Sequence, residues 1–595
     1  MSSISQRSDG RFLSKLFYRV LPAQIFLLML TGINNIVDGM VATNFLSPTA
    51  MSTIGLYAPF QMIWLAVSSV LMIGSQVLCG RYMGAGDLQR TRGVFSLNIT
   101  MAFTASAVAA LLSFILPGPI AQILGASPVV FNDVSGYIVG RGVGLIPMVL
   151  GAQFVAFLSL EGQNKRNYAA TSSMLAVNIA LDLYFAISHK EMGIMGLGIA
   201  TSLSQWASMI IAGYFFLTRK ASLKYSFRII RWKELWGMVK IGFPNAMVFF
   251  LNAIKTSTFN NLMAAYDPTM ICVAVMSTYS MTMMIFESVG KGVAATGRLL
   301  TSVSYGEEDG RSITSIMKTV FTKGLMIAAA ASVVTFLLSD TVAGLFYSEP
   351  GSPVFQMTAK ALKIGAAVLI FETIAVVFSN YFQAIGRTVI VNIMSVLEGA
   401  GAMIPLGLLL IPNYGVDGNL LAFLIGYAII ALCGPVYAIF FWKRWPRNLS
   451  EWVTISPNFG AADDERLEAS IHSLEEAVST AKQVGDFCRE RNIDEKKAVY
   501  SSLALEELCL GIIKERFETD PKKKHTIEVR VVHKGEDVFM SLKDDCKPFN
   551  PKDRAELVNP QDDSPKSISI RVFMGIVKET DYQLTLGINV FTVTI

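Results

Sequence analysis

Asp38 and Asp182 are carboxylates set within apolar stretches, and each has an amide four residues before it: Asn34 precedes Asp38, and Asn178 precedes Asp182. On a helix a spacing of four puts the two side chains on one face, a turn apart. Such a pair offers hard oxygen ligands to Na⁺. A carboxylate screened from water also holds a proton more readily, which suits proton exchange. The residues alone leave H⁺ and Na⁺ both open. A second set follows at Lys255, Glu287, Lys291, Glu372 and Glu398. Glu287 and Lys291 are four apart and can pair on one helix face. Lys255, Glu372 and Glu398 stand alone in apolar surroundings and are expected to face a cavity. An ionisable group at membrane depth is costly unless solvated or paired, so each is a functional candidate. Glu161, at the end of its apolar stretch, is expected at an interface rather than in the chemistry.

The elements that must position these residues are membrane helices. The 595-residue chain is 52% hydrophobic and only 16% charged, against about 25% charged in a soluble protein. From Leu21 to Trp442, apolar stretches of roughly 20 residues follow one another, each long enough to cross the hydrocarbon core. Lipid cannot satisfy backbone hydrogen bonds, so these stretches read as helices. Twelve are expected, over about 17–45, 50–78, 94–117, 134–160, 168–188, 194–218, 236–265, 270–297, 315–338, 360–382, 389–411 and 418–442. The first is too long for a cleavable signal peptide. Six scattered cysteines form no CxxC pair, so neither a disulfide scaffold nor a zinc site is expected. No cofactor is implied beyond the coupling ion. The net charge of +5 is carried in loops and points to no nucleic-acid partner.

Lys and Arg sort between alternate loops at about six to one. That bias places the N-terminus, the central loop and the C-terminal region in the cytoplasm, as in a prokaryotic plasma or inner membrane. The helical region also repeats. Gly80-Arg81 and Gly297-Arg298 lie 217 residues apart, Gly162 and Gly386 lie 224 apart, and Gly193 and Gly415 lie 222 apart. One shared offset in preserved order suggests duplication of a six-helix unit. The expected organisation is one lobe over 1–230, a second over 231–445, a linker over 446–462 and a separate domain over 463–595. Two bundles of equal orientation usually enclose a substrate site and rock about it.

In these features the first roughly 445 residues resemble the multidrug and toxic compound extrusion (MATE) family. The resemblance rests on Asn35-Ile36-Val37-Asp38, on Gly80-Arg81-Tyr82-Met83-Gly84-Ala85-Gly86-Asp87 and on Glu161-Gly162-Gln163. It rests also on Asn178-Ile179-Ala180-Leu181-Asp182 and Gly193-Ile194-Met195-Gly196. It implies an all-α membrane protein of twelve helices in two six-helix lobes. It implies export of small organic, often cationic, compounds in exchange for H⁺ or Na⁺. It places the cation site on Asp38, Asn178 and Asp182, with Thr201 a further member. The wider superfamily includes flippases for lipid-linked saccharides, so fold alone does not set the substrate.

The C-terminal region reads as an α/β domain. Helices are expected over Asp464–Asn492, Glu495–Arg516 and near Ile570–Lys578, with strands over Thr526–Val532, Val538–Lys543 and Val590–Ile595. It resembles the GHKL ATPase fold, closest to the anti-sigma-factor serine kinases. The resemblance makes Glu507 the magnesium-site acid and Asp544 the adenine-binding residue. Two positions depart from it: Gly511 stands where the Asn ligand belongs, and Cys546 where a Gly is usual. The phosphate-loop segment Ser567–Ile570 has no glycine. Losing a metal ligand and the glycine that admits phosphate implies a degenerate, non-enzymatic domain. Its expected role is to regulate the transporter or to bind a regulatory protein. His472 reads as a solvated helix-face residue. Two other functions remain: a lipid-linked saccharide flippase, which would want more intramembrane cations, and a membrane sensor, which would want an intact kinase site.

Overall fold

The computed structural model describes residues 11–41, 48–124, 126, 131–189, 192–218, 221–267, 271–347, 349–456, 459–462, 464–513, 525–534, 537–546 and 575–595. The Asp38 side chain is not among those described. The first half of the helical region contains α1 (Arg11–Val41), α2 (Pro48–Gly84), α3 (Leu88–Ile115), α4 (Pro117–Ile123), α5 (Phe131–Gly142), α6 (Leu145–Leu160), α7 (Asn164–Ser188) and α8 (Gly193–Leu217). The second contains α9 (Leu235–Tyr266), α10 (Ile271–Gly306), α11 (Gly310–Thr319), α12 (Leu325–Phe346), α13 (Pro353–Ala384), α14 (Thr388–Val396) and α15 (Met403–Trp442). Single π turns join α11 to α12 at Val320–Gly324 and α14 to α15 at Leu397–Gly401.

Among the described residues ten helices are long and apolar enough to span a membrane, or eleven if α5 and α6, bent by 42°, form one span. The last of the ten, Thr388–Trp442, is 55 residues long, far more than the roughly 20 that cross a bilayer. It is not straight. Gly415 sits at φ 55°, ψ −123°, and a Cβ on Gly426 would fall on the Met403 sulfur. The run therefore folds back on itself at Gly415, a backbone conformation that favours glycine.

Several helices reach further than hydropathy predicts. α2 runs to Gly84 and α10 to Gly306, past the expected ends at 78 and 297. The extra turns carry Arg81 and Arg298, charges that find partners across the molecule. Arg81 Nη2 donates to the Ala384 carbonyl at 2.7 Å. Arg298 Nη2 donates to Gln76 Oε1 at 3.1 Å, and its Nη1 to Asn380 Oδ1 at 3.0 Å. The two helices cross here backbone to backbone. A Cβ on Gly84 would fall on the Val303 carbonyl oxygen, and one on Gly306 on that of Arg81.

After the short α16 (Leu449–Trp452), a five-stranded antiparallel sheet forms from β1 (Arg466–Ile471), β2 (Ile527–Lys534), β3 (Asp537–Asp544), β4 (Glu579–Thr585) and β5 (Ile588–Thr594). Its order is β1-β2-β3-β5-β4, with Val529 opposite Leu542 and Leu542 opposite Phe591. α17 (Leu474–Glu490) and α18 (Glu495–Ile512) share a core with one face of it, through Ala477, Val484, Leu505, Val529, Met540 and Leu542. The helix expected from Asp464 is instead a strand followed by a helix. Leu467, Ala469 and Ile471 alternate with Arg466, Glu468 and Ser470, the period of a strand. α17 starts only at its cap: Ser473 Oγ accepts from Glu476 N at 3.2 Å, while Glu476 Oε2 accepts from His472 N at 2.7 Å. This is a capping box shifted by one residue, with Glu476 reaching past the N-cap Ser473 to His472, and it puts His472 in the turn before the helix rather than on its face. β4 was not expected. It pairs with β5 through a turn at Leu586 and Gly587, both at positive φ. Of the helix expected near Ile570–Lys578, only Gly575 and Ile576 are described as helical; positions 570–574 lie outside the described residues, and β4 begins at Glu579.

The sheet is not detached from the helices. Leu586, Ile588 and Val590 belong to the same buried apolar cluster as Phe17, Leu78 and Phe157. The intervening segment is tied down as well. The Tyr381 hydroxyl donates to the Val453 carbonyl at 2.5 Å, and Phe459 stacks on Tyr305 at 4.9 Å.

Candidate functional site

Among the described residues the candidates named from sequence fall into two polar centres within the helices, one in each half. In the first, the four-residue spacing on α7 does what it predicts: Asn178 Nδ2 donates to Asp182 Oδ2 at 2.9 Å, and both side chains are buried. Asn34 is buried on α1, which packs against α7. Asp38 lies on the same helix one turn on, with its side chain outside the described set. Thr201 is buried on α8, and its hydroxyl donates within its own helix to the Leu197 carbonyl at 3.0 Å. That bond caps a helical carbonyl and does not draw Thr201 to Asp182.

In the second centre all five residues named from sequence gather from α9, α10, α13 and the π turn at Leu397–Gly401. Lys291 Nζ meets Glu287 Oε2 at 2.5 Å and Glu372 Oε1 at 3.5 Å. Lys255 Nζ donates to the Glu398 backbone carbonyl at 3.4 Å and sits 5.5 Å from the Phe423 ring centre. Lys255, Glu372 and Glu398 therefore do not stand alone. The reason is local. The π turn exposes the Glu398 carbonyl by breaking the regular ladder, and Gly399 within it lets Leu251 of α9 come close. Lys291 keeps 43% of its side chain accessible while the acids it pairs with keep 24% and 7%, so the cluster is open on its lysine side. Three carboxylates stand against two ammonium groups. With all three carboxyls ionised the cluster would carry one net negative charge.

Three polar residues at this depth escaped the sequence reading. Arg141, on α5, is buried 5.8 Å from the Tyr57 ring centre. Asn98 on α3 donates to Gln153 Oε1 on α6 at 3.0 Å, with both side chains fully buried. Isolated amides leave no pattern, and Arg141 falls in the last turn of α5, beside a glycine-rich break where a charge reads as a loop residue. Glu161 is buried rather than interfacial. Its carboxylate accepts from Ser222 Oγ and Leu223 N, each at 2.8 Å, so it anchors the chain between α8 and α9. Burial pushes its carboxyl above the ordinary range against the pull of those bonds.

In the C-terminal domain, Asp544 is occupied by its own fold. Its Oδ1 accepts from Cys546 N at 2.9 Å and Asn589 Nδ2 at 2.7 Å. Burial raises its carboxyl even so. Gly511 faces open space where a ligand side chain would project. Glu507 lies on α18, half-buried, while Ser567–Ile570 lies outside the described residues. Among the described residues one donor set could hold a transition metal: His525, Asp545 and Cys546 are buried with donor atoms within 4.8 Å of one another. The carboxylate there is already engaged, by His525 Nδ1 at 3.0 Å and by Lys15 of α1 at 2.5 Å.

This architecture has known counterparts. "Multidrug export protein MepA" of Staphylococcus saprophyticus is 24% identical over 394 residues, 64% of this chain and 84% of that protein. The protein of the same name from Staphylococcus aureus is 24% identical over 415 residues, 68% of this chain and 88% of its own length. A solved multidrug resistance MATE family transporter of the MOP superfamily, in an outward-facing conformation, superposes with a TM-score of 0.67 at 19% identity, over 73% of this chain and 97% of that one. The MatE family model matches residues 22–184 and again 242–409, together more than half of the chain, and on that match the chain belongs to the MatE family.

Proposed function

We propose that this chain is a cation-coupled secondary antiporter that exports small organic, drug-like or metabolite compounds by alternating access. The observation that carries the reading is the buried cluster of three carboxyls and two lysines, set within a MatE-family fold. A cation that neutralises this cluster in one state and leaves it in the other supplies the differential stabilisation that drives a two-state cycle. The buried Asn178–Asp182 pair and Asp38 form a second cation candidate. H⁺ and Na⁺ both suit these oxygen donors. The names of the Staphylococcus relatives support an organic substrate.

The same proposal counts twelve spans, the eleven with Thr388–Trp442 divided at Gly415, and two lobes over 1–230 and 231–445. The family model's two matches begin 220 residues apart, at 22 and 242, which supports a duplicated unit. The basic loops put the end bearing the sheet domain in the cytoplasm. That domain is read as a degenerate GHKL-like module that regulates rather than catalyses, because Asp544 is spent on Asn589 and Gly511 supplies no ligand.

The test is export of a fluorescent cation from everted vesicles under imposed H⁺ or Na⁺ gradients, with Asp182→Asn and Glu372→Gln beside the parent. Gradient-driven export that falls at least about tenfold in one variant supports the reading. Export indifferent to both gradients and both substitutions would sink it. For the tail, Mg-ATP binding to the full chain is expected to be millimolar or weaker, about 4 kcal/mol or more short of micromolar binding; micromolar affinity overturns degeneracy.

A further inference from the structure

The C-terminal domain touches both halves of the transporter at the end where α2 and α10 cross backbone to backbone. On the first half the attachment is backbone to backbone. Leu586 N donates to the Leu160 carbonyl at 2.6 Å, and the β4–β5 turn closes so tightly on the α6–α7 turn that a Cβ on Gly162 would overlap Gly587. On the second half it is ionic and buried. Lys543 Nζ meets Glu307 Oε2 at 2.6 Å, with side chains 15% and 8% accessible. Arg530 Nη1 donates to the Glu307 carbonyl at 2.8 Å. A cavity of about 1050 Å³ lies beside the ionic foothold, bounded by the α2–α3 and α10–α11 loops and the sheet. Around it Gly84 and Gly306 hold α2 and α10 in direct backbone contact.

A transporter that alternates access must part its halves at this end in one state. The domain's two footholds are rigid: one is a backbone contact between two turns, the other a short buried ion pair. Both cannot persist once the halves separate. The domain therefore binds the closed end better than the open one, and a group that binds one state better shifts the equilibrium toward it by that difference. We infer that the C-terminal domain is an intramolecular clamp that holds this end of the transporter shut and restrains the cycle until it lets go of one half. This rests on the alternating-access reading above and adds to it the site of restraint, the Glu307–Lys543 and Leu160–Leu586 footholds.

The experiment uses the full chain in lipid vesicles, spin-labelled at Gln89→Cys on the first half and Lys318→Cys on the second, with the native Cys433 replaced by Ser. Distances between the labels are measured without substrate. Lys543→Glu, which sets two carboxylates face to face, is expected to raise the ratio of long to short distances at least about tenfold. Glu307→Lys combined with Lys543→Glu restores the pair in reverse and is expected to return the ratio toward the parent's. The clamp is overturned if Lys543→Glu and the reversed pair both leave the distribution unchanged while the protein remains folded by circular dichroism. The two readings fail separately. Opening without any gradient-driven export leaves the clamp and removes the antiporter; gradient-driven export with an invariant distribution does the reverse.

Discussion

Lys291 is the residue on which the second-half cluster balances. It contacts two of the cluster's carboxylates, Glu287 and Glu372. Lys291→Met removes the cation and keeps the bulk, leaving those acids to repel each other. Breaking a fully buried pair costs about 3–5 kcal/mol; because Lys291 is 43% accessible, a loss of about 1–3 kcal/mol is expected. Thermal unfolding in detergent checks it. Adding Glu372→Gln should recover part of the loss, since it removes one of the repelling charges; no recovery would mean that the two acids do not interact. The candidate residues were legible in the sequence because charge inside an apolar stretch is conspicuous. Their partners were less so. The i,i+4 rule found Glu287–Lys291 and Asn178–Asp182, but Glu372 and Glu398 reach their lysines from other helices, and no local spacing records that.

At the scale of elements, the α2–α10 crossing depends on two glycines that admit no side chain. Gly306→Ala would drive a methyl group onto the Arg81 carbonyl oxygen. Relief requires the helices to move apart, an overpacking cost of about 1–3 kcal/mol. The expected result is a lower melting temperature together with longer distances between the labelled halves; a change in neither would refute the close crossing. Hydropathy placed the spans but ended α2 and α10 early, because it reads Arg81 and Arg298 as loop charges. It could not see that each donates to a group on a distant helix. In the C-terminal domain the strands with long apolar alternation were readable. β1 was hidden by the helix-forming run that follows it, and β4 by its polar face: Glu579, Asp581 and Gln583 occupy alternate positions.

For the whole molecule, seating of the C-terminal domain should depend on pH through Asp309. Burial opposes ionisation of this carboxyl. Arg530, Lys543 and the hydrogen bonds from Ser312 outweigh that opposition and hold it below its ordinary value of 3.8. A carboxylate lowered by its docked partners stabilises docking fully above the ordinary value, and loses that contribution as pH falls through the lowered one. Protease cleavage between 456 and 464 should therefore be unchanged from neutral pH down to about 4 and accelerate below it. Asp309→Asn should flatten the acid limb. An identical limb in that variant would assign the dependence elsewhere. Added salt should weaken the exposed Arg311–Glu468 contact more than the buried Lys543–Glu307 pair, since screening acts chiefly on exposed charges.

The contact between Lys15 and Asp545 joins residues 530 positions apart. During synthesis at about 5–20 residues per second, the first helix leaves the ribosome roughly half a minute to two minutes before its partner exists. Both halves of the transporter are in the membrane by then. A newly made molecule must therefore pass through a period in which its helices are assembled and its last domain is not, and a chain cut short by a premature stop would never leave that period.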